Sequence, residues 1–264
     1  MKDNSFKYED GLVHYNTRGE GPVIVLLHGY LESKEVWENF AERLSSMFKV
    51  ICMDLPGHGM SDIYSGSHTM EFMASSVKSL LNNLNIDKVF LAGHSLGGYV
   101  TLAFLEQFPE MLSGYCLFHS QPFSDTEAAI DKRKREIKIV TAGKKNLMYP
   151  DNIERMFAKI NIVKFHDALE RSKTIASKIP GAGIIAVLNG MMARPSRLKV
   201  MEDGRVPCLW ILGTMDSYIP VEVTSKVNLP SNAEIVILNE SGHMGFIEQE
   251  DESVKVFKAF AEKL

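Results

Sequence analysis

The sequence predicts an α/β fold: a mostly parallel central sheet with helices on both faces, interrupted by one helical insertion. Three observations carry this expectation. Continuous apolar runs such as PVIVLLHG and DKVFLAG read as strands covered on both faces, because a strand with one wet face would alternate. Stretches at helical spacing separate these runs, as in MEFMASSVKSLLNNLN, where Phe72, Val77, Leu80, Leu81 and Leu84 share a stripe. The two kinds of segment alternate along the chain, the order that yields parallel pairing through crossover helices.

Taken in order, SFKYEDGLVHYNTRG alternates apolar and polar residues around Asp10-Gly11, a hairpin signal because both residues tolerate positive φ. PVIVLLHG is the first buried strand, followed by a helix from about Lys34 to Ser46 and the strand FKVICMDL. After the helix at MEFMASSVKSLLNNLN come the strand DKVFLAG, a helix from Ser95 to Phe108 stopped by Pro109, and the strand GYCLFH. Between about Gln121 and Lys199 the pattern is helical, broken at Gly143, Pro150, Pro180, Gly181 and Pro195, without a strand. Alternation resumes with VPCLWILG, a short helix near Val221 to Val227, the strand AEIVILN and a last helix, DESVKVFKAFAEKL, opened by acidic residues. The expected organisation is a core of 1–120 and 200–264 with a helical insertion at 121–199.

Composition narrows the function classes. The chain has 264 residues, 45% hydrophobic and 23% charged, with a net charge of −4. That suits one α/β domain, monomeric or homodimeric, and gives no basic excess for nucleic acid. No apolar run approaches the roughly 20 residues of a membrane span, and the opening MKDNSFKYEDG lacks the apolar centre of a signal peptide. Cys52, Cys116 and Cys208 are scattered without CxxC spacing, so buried free thiols and a reducing, cytoplasmic home are expected.

The chemistry concentrates at VFLAGHSLGGYVT. A strand, then Gly93-His94-Ser95-Leu96-Gly97, then a helix is the context of a nucleophile elbow, in which a strained turn exposes the serine at the carboxyl end of a sheet. Alone the motif also fits a serine N-cap in a glycine-rich turn. A phosphate-binding loop is excluded, since no Gly-Lys-Ser/Thr follows and PGHGMSD is not GxGxxG. A serine nucleophile needs a base, and the base an orienting carboxylate, in the order serine, acid, histidine. ILGTMDSYIP puts Asp216 just after a buried strand, and VILNESGHMGF puts His243 just beyond the next. Each singly reads as an ordinary loop residue, but both belong at the edge where open α/β sheets collect ligands. Asp125, after GYCLF, is the rival acid. LLHGYLES supplies a second amide, that of Tyr30, to accompany Leu96 in holding an oxyanion, with His28 fixing that loop.

The segments HGYLES, DLPGHGMSD, GHSLGG, GTMDSYIP and SGHMGFIE together resemble the α/β-hydrolase superfamily, in its order and over nearly the whole chain. The resemblance implies the α/β-hydrolase fold with a helical cap at the insertion, and Ser95, Asp216 and His243 as nucleophile, acid and base. It implies the Tyr30 and Leu96 amides as oxyanion hole, and Asp54, Gly57, Gly59, Ser61 and Asp62 as a structural turn. Serine rather than aspartate at the elbow, and Leu96 rather than tryptophan after it, point away from dehalogenases and epoxide hydrolases and towards cap-bearing carboxylesterases. Members that cleave C–C bonds or act as lyases share the triad, and a receptor with little turnover is the non-enzymatic alternative.

The expected activity is therefore hydrolysis of a small or medium carboxylic ester, with no cofactor. His14, His58, His68, His119 and His166 show no metal-ligand spacing, so no metal is expected. Met215, Met244, Met191 and Met192, with Met148 and Met156 of the insertion, are candidates for an apolar pocket wall. The run DKRKREIKIVTAGKK (131–145), with seven basic residues, is either a solvated helix face or a cationic rim that draws anionic substrates.

Overall fold

The computed structural model describes residues 2–264. Strands β1 (Lys2–Tyr8) and β2 (Gly11–Arg18) form an antiparallel hairpin, with Gly11 opposite Tyr8. The turn is therefore Glu9-Asp10 rather than Asp10-Gly11, and Glu9 carries the positive φ of +49°. Gly11 begins β2 instead, where an added Cβ would lie 3.0 Å from both Asp62 Cβ and the Tyr64 ring.

Then follow β3 (Val23–Leu27), α1 (Glu38–Leu44), β4 (Lys49–Met53), α2 (Met70–Asn83), β5 (Val89–His94), α3 (Leu96–Gln107) and β6 (Leu112–Phe118). The Thr69 hydroxyl accepts the Phe72 N–H at 3.2 Å, which caps the start of α2. Between β6 and the next strand run five helices: α4 (Glu127–Thr141), α5 (Tyr149–Glu154), α6 (His166–Lys178), α7 (Gly181–Ala193) and α8 (Leu198–Glu202). Thr126 caps α4 as Thr69 caps α2, and Pro180 separates α6 from α7, whose axes meet at 97°. The chain closes with β7 (Cys208–Gly213), β8 (Ala233–Leu238), α9 (Gly245–Glu248) and α10 (Glu250–Ala261). No single helix among the described residues is long and apolar enough to cross a membrane.

The eight strands form one sheet in the order β1-β2-β4-β3-β5-β6-β7-β8. Pairing is parallel from β4 through β8, and β2 joins antiparallel. Every residue of β5 and β7 is buried, whereas β8 at the edge leaves Ile235 and Ile237 partly in water. Cys52, Cys116 and Cys208 sit buried on β4, β6 and β7, unpaired. Burial raises all three thiols, Cys208 to about 12.

This topology places the chemistry. Because β3, β5, β6, β7 and β8 all run the same way, the residues after their carboxyl ends converge on one edge: Tyr30, Ser95, His119, Asp216 and His243.

Candidate active site

Ser95 lies between β5 and α3 at φ 49°, ψ −110°. Few residues other than glycine adopt positive φ, and holding one there costs roughly 1–3 kcal/mol. The backbone secures the turn from both sides. The Ser95 N–H donates to the Phe118 carbonyl at 3.0 Å, and its own carbonyl accepts the Ser120 hydroxyl at 2.7 Å and the Gly98 N–H at 3.0 Å. The glycines are a matter of space: a Cβ on Gly93 would lie 2.1 Å from the Gly97 carbonyl carbon, and one on Gly97 2.4 Å from the Leu27 carbonyl oxygen. Strand β3 and the first turn of α3 can approach the serine only because both side chains are missing.

His243, after β8, directs Nδ1 at Asp216 Oδ2 at 2.7 Å. A second imidazole meets the same oxygen, His119 Nδ1 at 3.1 Å. The Gly245 N–H donates to His119 Nε2 at 3.2 Å, so His119 carries its proton on Nδ1 and donates it to Asp216. The other oxygen, Oδ1, accepts the N–H groups of Tyr218 at 2.8 Å and Ile219 at 2.9 Å. Burial alone would raise the Asp216 carboxyl, but His243 and His119 hold it well below the ordinary range. Burial in turn lowers His119 to about 4, so this ring is neutral. Asp125 takes no part in this set.

With Nδ1 committed to Asp216, His243 turns Nε2 towards the cavity that it lines together with Ser95. That cavity measures about 170 Å³. The N–H groups of Tyr30 and Leu96 have no protein acceptor among the described residues. Near them, His28 receives the Leu55 N–H on Nε2 at 3.0 Å and donates from Nδ1 to the Gly29 carbonyl at 2.8 Å, which ties the β3 loop to the turn after β4. Asp54 holds that turn through the Lys34 ammonium at 2.7 Å and the Met60 N–H at 3.1 Å.

Known proteins share this fold. The family model described as alpha/beta hydrolase fold matches residues 22–137. A thermophilic esterase from Thermogutta terrifontis, in a malate-bound structure, superposes with a TM-score of 0.93 over 100% of this chain and 99% of its own, at 24% identity. The chain has the α/β-hydrolase fold. Among curated relatives, an uncharacterised Mycobacterium tuberculosis protein is 37% identical over 98 residues, a match spanning 37% of this chain and 29% of that one. The pimeloyl-[acyl-carrier protein] methyl ester esterase of Vibrio campbellii is 27% identical over 94% of this chain and 98% of its own.

Within this fold the cavity wall differs from the one expected. Of the candidate methionines, only Met191 and Met156, the latter from the segment after α5, line it. Met244 is fully buried, because the chain turns there into α9 and the side chain enters the core. Met215 is 41% exposed and borders a separate hollow beside Ile160, and Met192 lies one helix position off the buried face of α7. Charged and polar side chains share the rest of the wall with aromatic rings, Ala129 and Ile219. Helix α4 presents Ala129, Lys132, Arg133 and Glu136 to the cavity, positions three and four apart.

The basic run divides accordingly. Lys132 and Arg133 face the cavity, while Lys134, Arg135 and Lys138 point to water. Lys145 instead donates to the Ser177 and Ile179 carbonyls at the end of α6, at 2.8 and 2.7 Å. Asp125 is held by Arg133 at 2.6 Å and Arg194 at 2.7 Å, which lower its carboxyl against the effect of burial. Lys132 keeps a looser setting, 3.8 Å from Glu136 and 4.9 Å from the Tyr218 ring centre. Glu136 is itself occupied by the Tyr30 hydroxyl and Asn152.

Sequence spacing separated His119 from the site, whereas the structure brings His119, Asp216 and His243 together with ligand-type atoms within 4.8 Å. Those atoms are largely spent on one another through the hydrogen bonds above. The signal available for His119 was its place at the carboxyl end of β6, the same argument that selects Ser95. Lys132 and Arg133 lay within a run that the sequence treats as one block.

Proposed function

We propose that this chain is a serine hydrolase that cleaves a small or medium carboxylic ester through an acyl-enzyme. The observation that carries the reading is the strained Ser95 turn opening into the same cavity as a His243 whose other nitrogen is held by Asp216. In the reading, Ser95 Oγ attacks the ester carbonyl while His243 Nε2 takes its proton, and the Tyr30 and Leu96 amides hold the oxyanion. His243 then gives the proton to the leaving alcohol and later draws one from the water that releases the acid. Asp216 keeps His243 in the required tautomer and stabilises the imidazolium. Residues 121–199 act as the cap that closes the cavity. The esterases of Vibrio campbellii and Thermogutta terrifontis support ester cleavage over C–C cleavage, and three unpaired buried thiols suit a reducing cytoplasm.

Chain length tests the reading. A space of about 170 Å³ is smaller than the roughly 300–1,000 Å³ of drug-sized sites. Across p-nitrophenyl esters from acetate to palmitate, kcat/KM is expected to peak at short to medium chains. A peak at palmitate refutes the enclosed pocket, and no turnover of any ester refutes the hydrolase reading.

The looser Lys132 ammonium makes a second, smaller prediction. Lys132→Met is expected to lower kcat/KM for an ester bearing a carboxylate on its acyl chain by about 5-fold, the scale of a partly solvated ion pair, and to leave a neutral ester of equal length unchanged. Added salt should reproduce the selectivity of the substitution. Equal effects on both esters would remove Lys132 from substrate recognition.

A further inference from the structure

Beneath the site lies a buried acid–base pair that the proposed reaction does not use. Glu32 and His94 are 1% and 0% exposed, and their side chains meet through Nδ1 and Oε2 at 2.9 Å. His94 Nε2 lies 2.9 Å from the His243 carbonyl. A carbonyl only accepts, so Nε2 carries a proton. The contact between Nδ1 and Oε2 then needs a second proton, since two lone pairs would otherwise face each other. The network is complete only when the pair holds two protons in all.

Glu32 Oε2 also accepts the Gly29 N–H at 2.5 Å, next to the Tyr30 amide, while Oε1 has no partner among the described residues. His94 precedes Ser95 in sequence. One carboxylate thus ties the loop after β3 to the elbow and, through His94, to the backbone of His243. Gly29 has no side chain because a Cβ there would lie 2.8 Å from both Glu32 Oε2 and His94 Nδ1.

We propose that Glu32 and His94 form a carboxylate–imidazolium positioning pair that holds the Tyr30 loop and His243 in register, and that losing the pair's shared proton disengages them. The proposal rests on the serine hydrolase reading for its kinetic readout. Around His94 lie the His243 ring at 4.8 Å and the His119 ring at 6.2 Å, with the Trp37 and Phe246 rings at 6.3 and 5.1 Å. The nearby negative groups are Glu32 and Asp216, and His28 is held neutral by its burial. Burial opposes a charge on His94, but Glu32 outweighs it and raises the imidazole above its ordinary value, while His94 lowers Glu32 against the same burial. A raised imidazole keeps its proton to higher pH than an ordinary histidine and loses it only on the alkaline side of that ordinary range. With the proton gone, either the Glu32 or the His243 bond must break.

Glu32→Gln separates this role from simple packing. Both contacts meet Glu32 Oε2, so the amide oxygen takes that place, accepts from Gly29 and from His94 Nδ1, and leaves a neutral His94 no proton for the His243 carbonyl. The variant thus keeps the Gly29 bond but lacks, at every pH, both the shared proton and the His243 bond. Measured from about pH 5 to about pH 10 with an activated ester, wild-type kcat/KM should fall on the alkaline side. In Glu32→Gln that limb should vanish, with the acid limb kept and the rate held throughout near the level that the wild type reaches on its alkaline side. An alkaline limb shared by both proteins overturns the pair's role while the hydrolase reading stands. Absence of ester turnover and of fluorophosphonate labelling in the wild type removes the hydrolase reading instead. If Glu32→Gln does not fold, ¹⁵N-histidine spectra of the wild type decide. One ring protonated on both nitrogens above the ordinary histidine range of about 6.5 supports the pair, and no such ring overturns it.

Discussion

Ser95→Ala should abolish covalent labelling by a fluorophosphonate and lower kcat by on the order of 10⁴ to 10⁶. The hydroxyl is the attacking atom in the proposed reaction, and no neighbouring group replaces it in the cavity. The substitution leaves the turn in place, because the N–H bond to Phe118 and the carbonyl bonds from Ser120 and Gly98 belong to the backbone. Thermal stability should therefore remain close to wild type, so that lost activity reports chemistry rather than unfolding. Intact-mass analysis reads the adduct directly. A wild-type protein that takes no label, or an alanine variant that takes the same amount, removes Ser95 from the reaction.

Asp216→Asn is expected to reduce kcat by up to about 10⁴. The environment dictates which way the amide must sit. Oδ1 receives two backbone N–H groups, from Tyr218 and Ile219, so the Asn oxygen has to take that place. Its NH₂ then replaces Oδ2 and faces the Nδ1 atoms of both His243 and His119. His119 cannot reverse its tautomer without losing the Gly245 N–H. His243 can do so, but with its proton on Nε2 it no longer accepts one from Ser95. Asp125→Asn should cost much less, since Asp125 balances Arg133 and Arg194 rather than an imidazole. If Asp125→Asn proves the more damaging change, Asp216 is not the acid of this site.

Much of this arrangement is legible in the sequence because parallel strands obey a topological rule. Once LLHG, LAGHS, ILGTMD and ILNESGH are read as strand ends, Tyr30, Ser95, Asp216 and His243 must share an edge, however far apart they lie in the chain. The same rule reaches His119, which went unassigned because a histidine on a carboxylate 97 residues away leaves no local pattern. The methionine wall failed for a related reason. Neighbours of site residues in loops have no period, so Met215 turned to the surface and Met244 into the core. Within 131–145, by contrast, helical periodicity does separate Lys132, Arg133 and Glu136 from Lys134, Arg135 and Lys138, once α4 has a known inner face. The hairpin turn slipped by one residue because Gly11 is required by the crowding of Asp62 and Tyr64, not by the turn itself.

The position of the three cysteines gives the chain a chemical selectivity. Each thiol is locked inside the sheet and is raised by burial far from its reactive form. Maleimides, iodoacetamide and oxidised glutathione meet no accessible thiol on the folded chain, and two copies have no surface thiol through which to become cross-linked. A single cysteine introduced at a solvent-facing site, such as Val163 at 89% exposure, would then stand alone as a handle for a dye or spin label. Movements of the helices between β6 and β7 can in this way be followed during turnover without first removing native sulfur from the core.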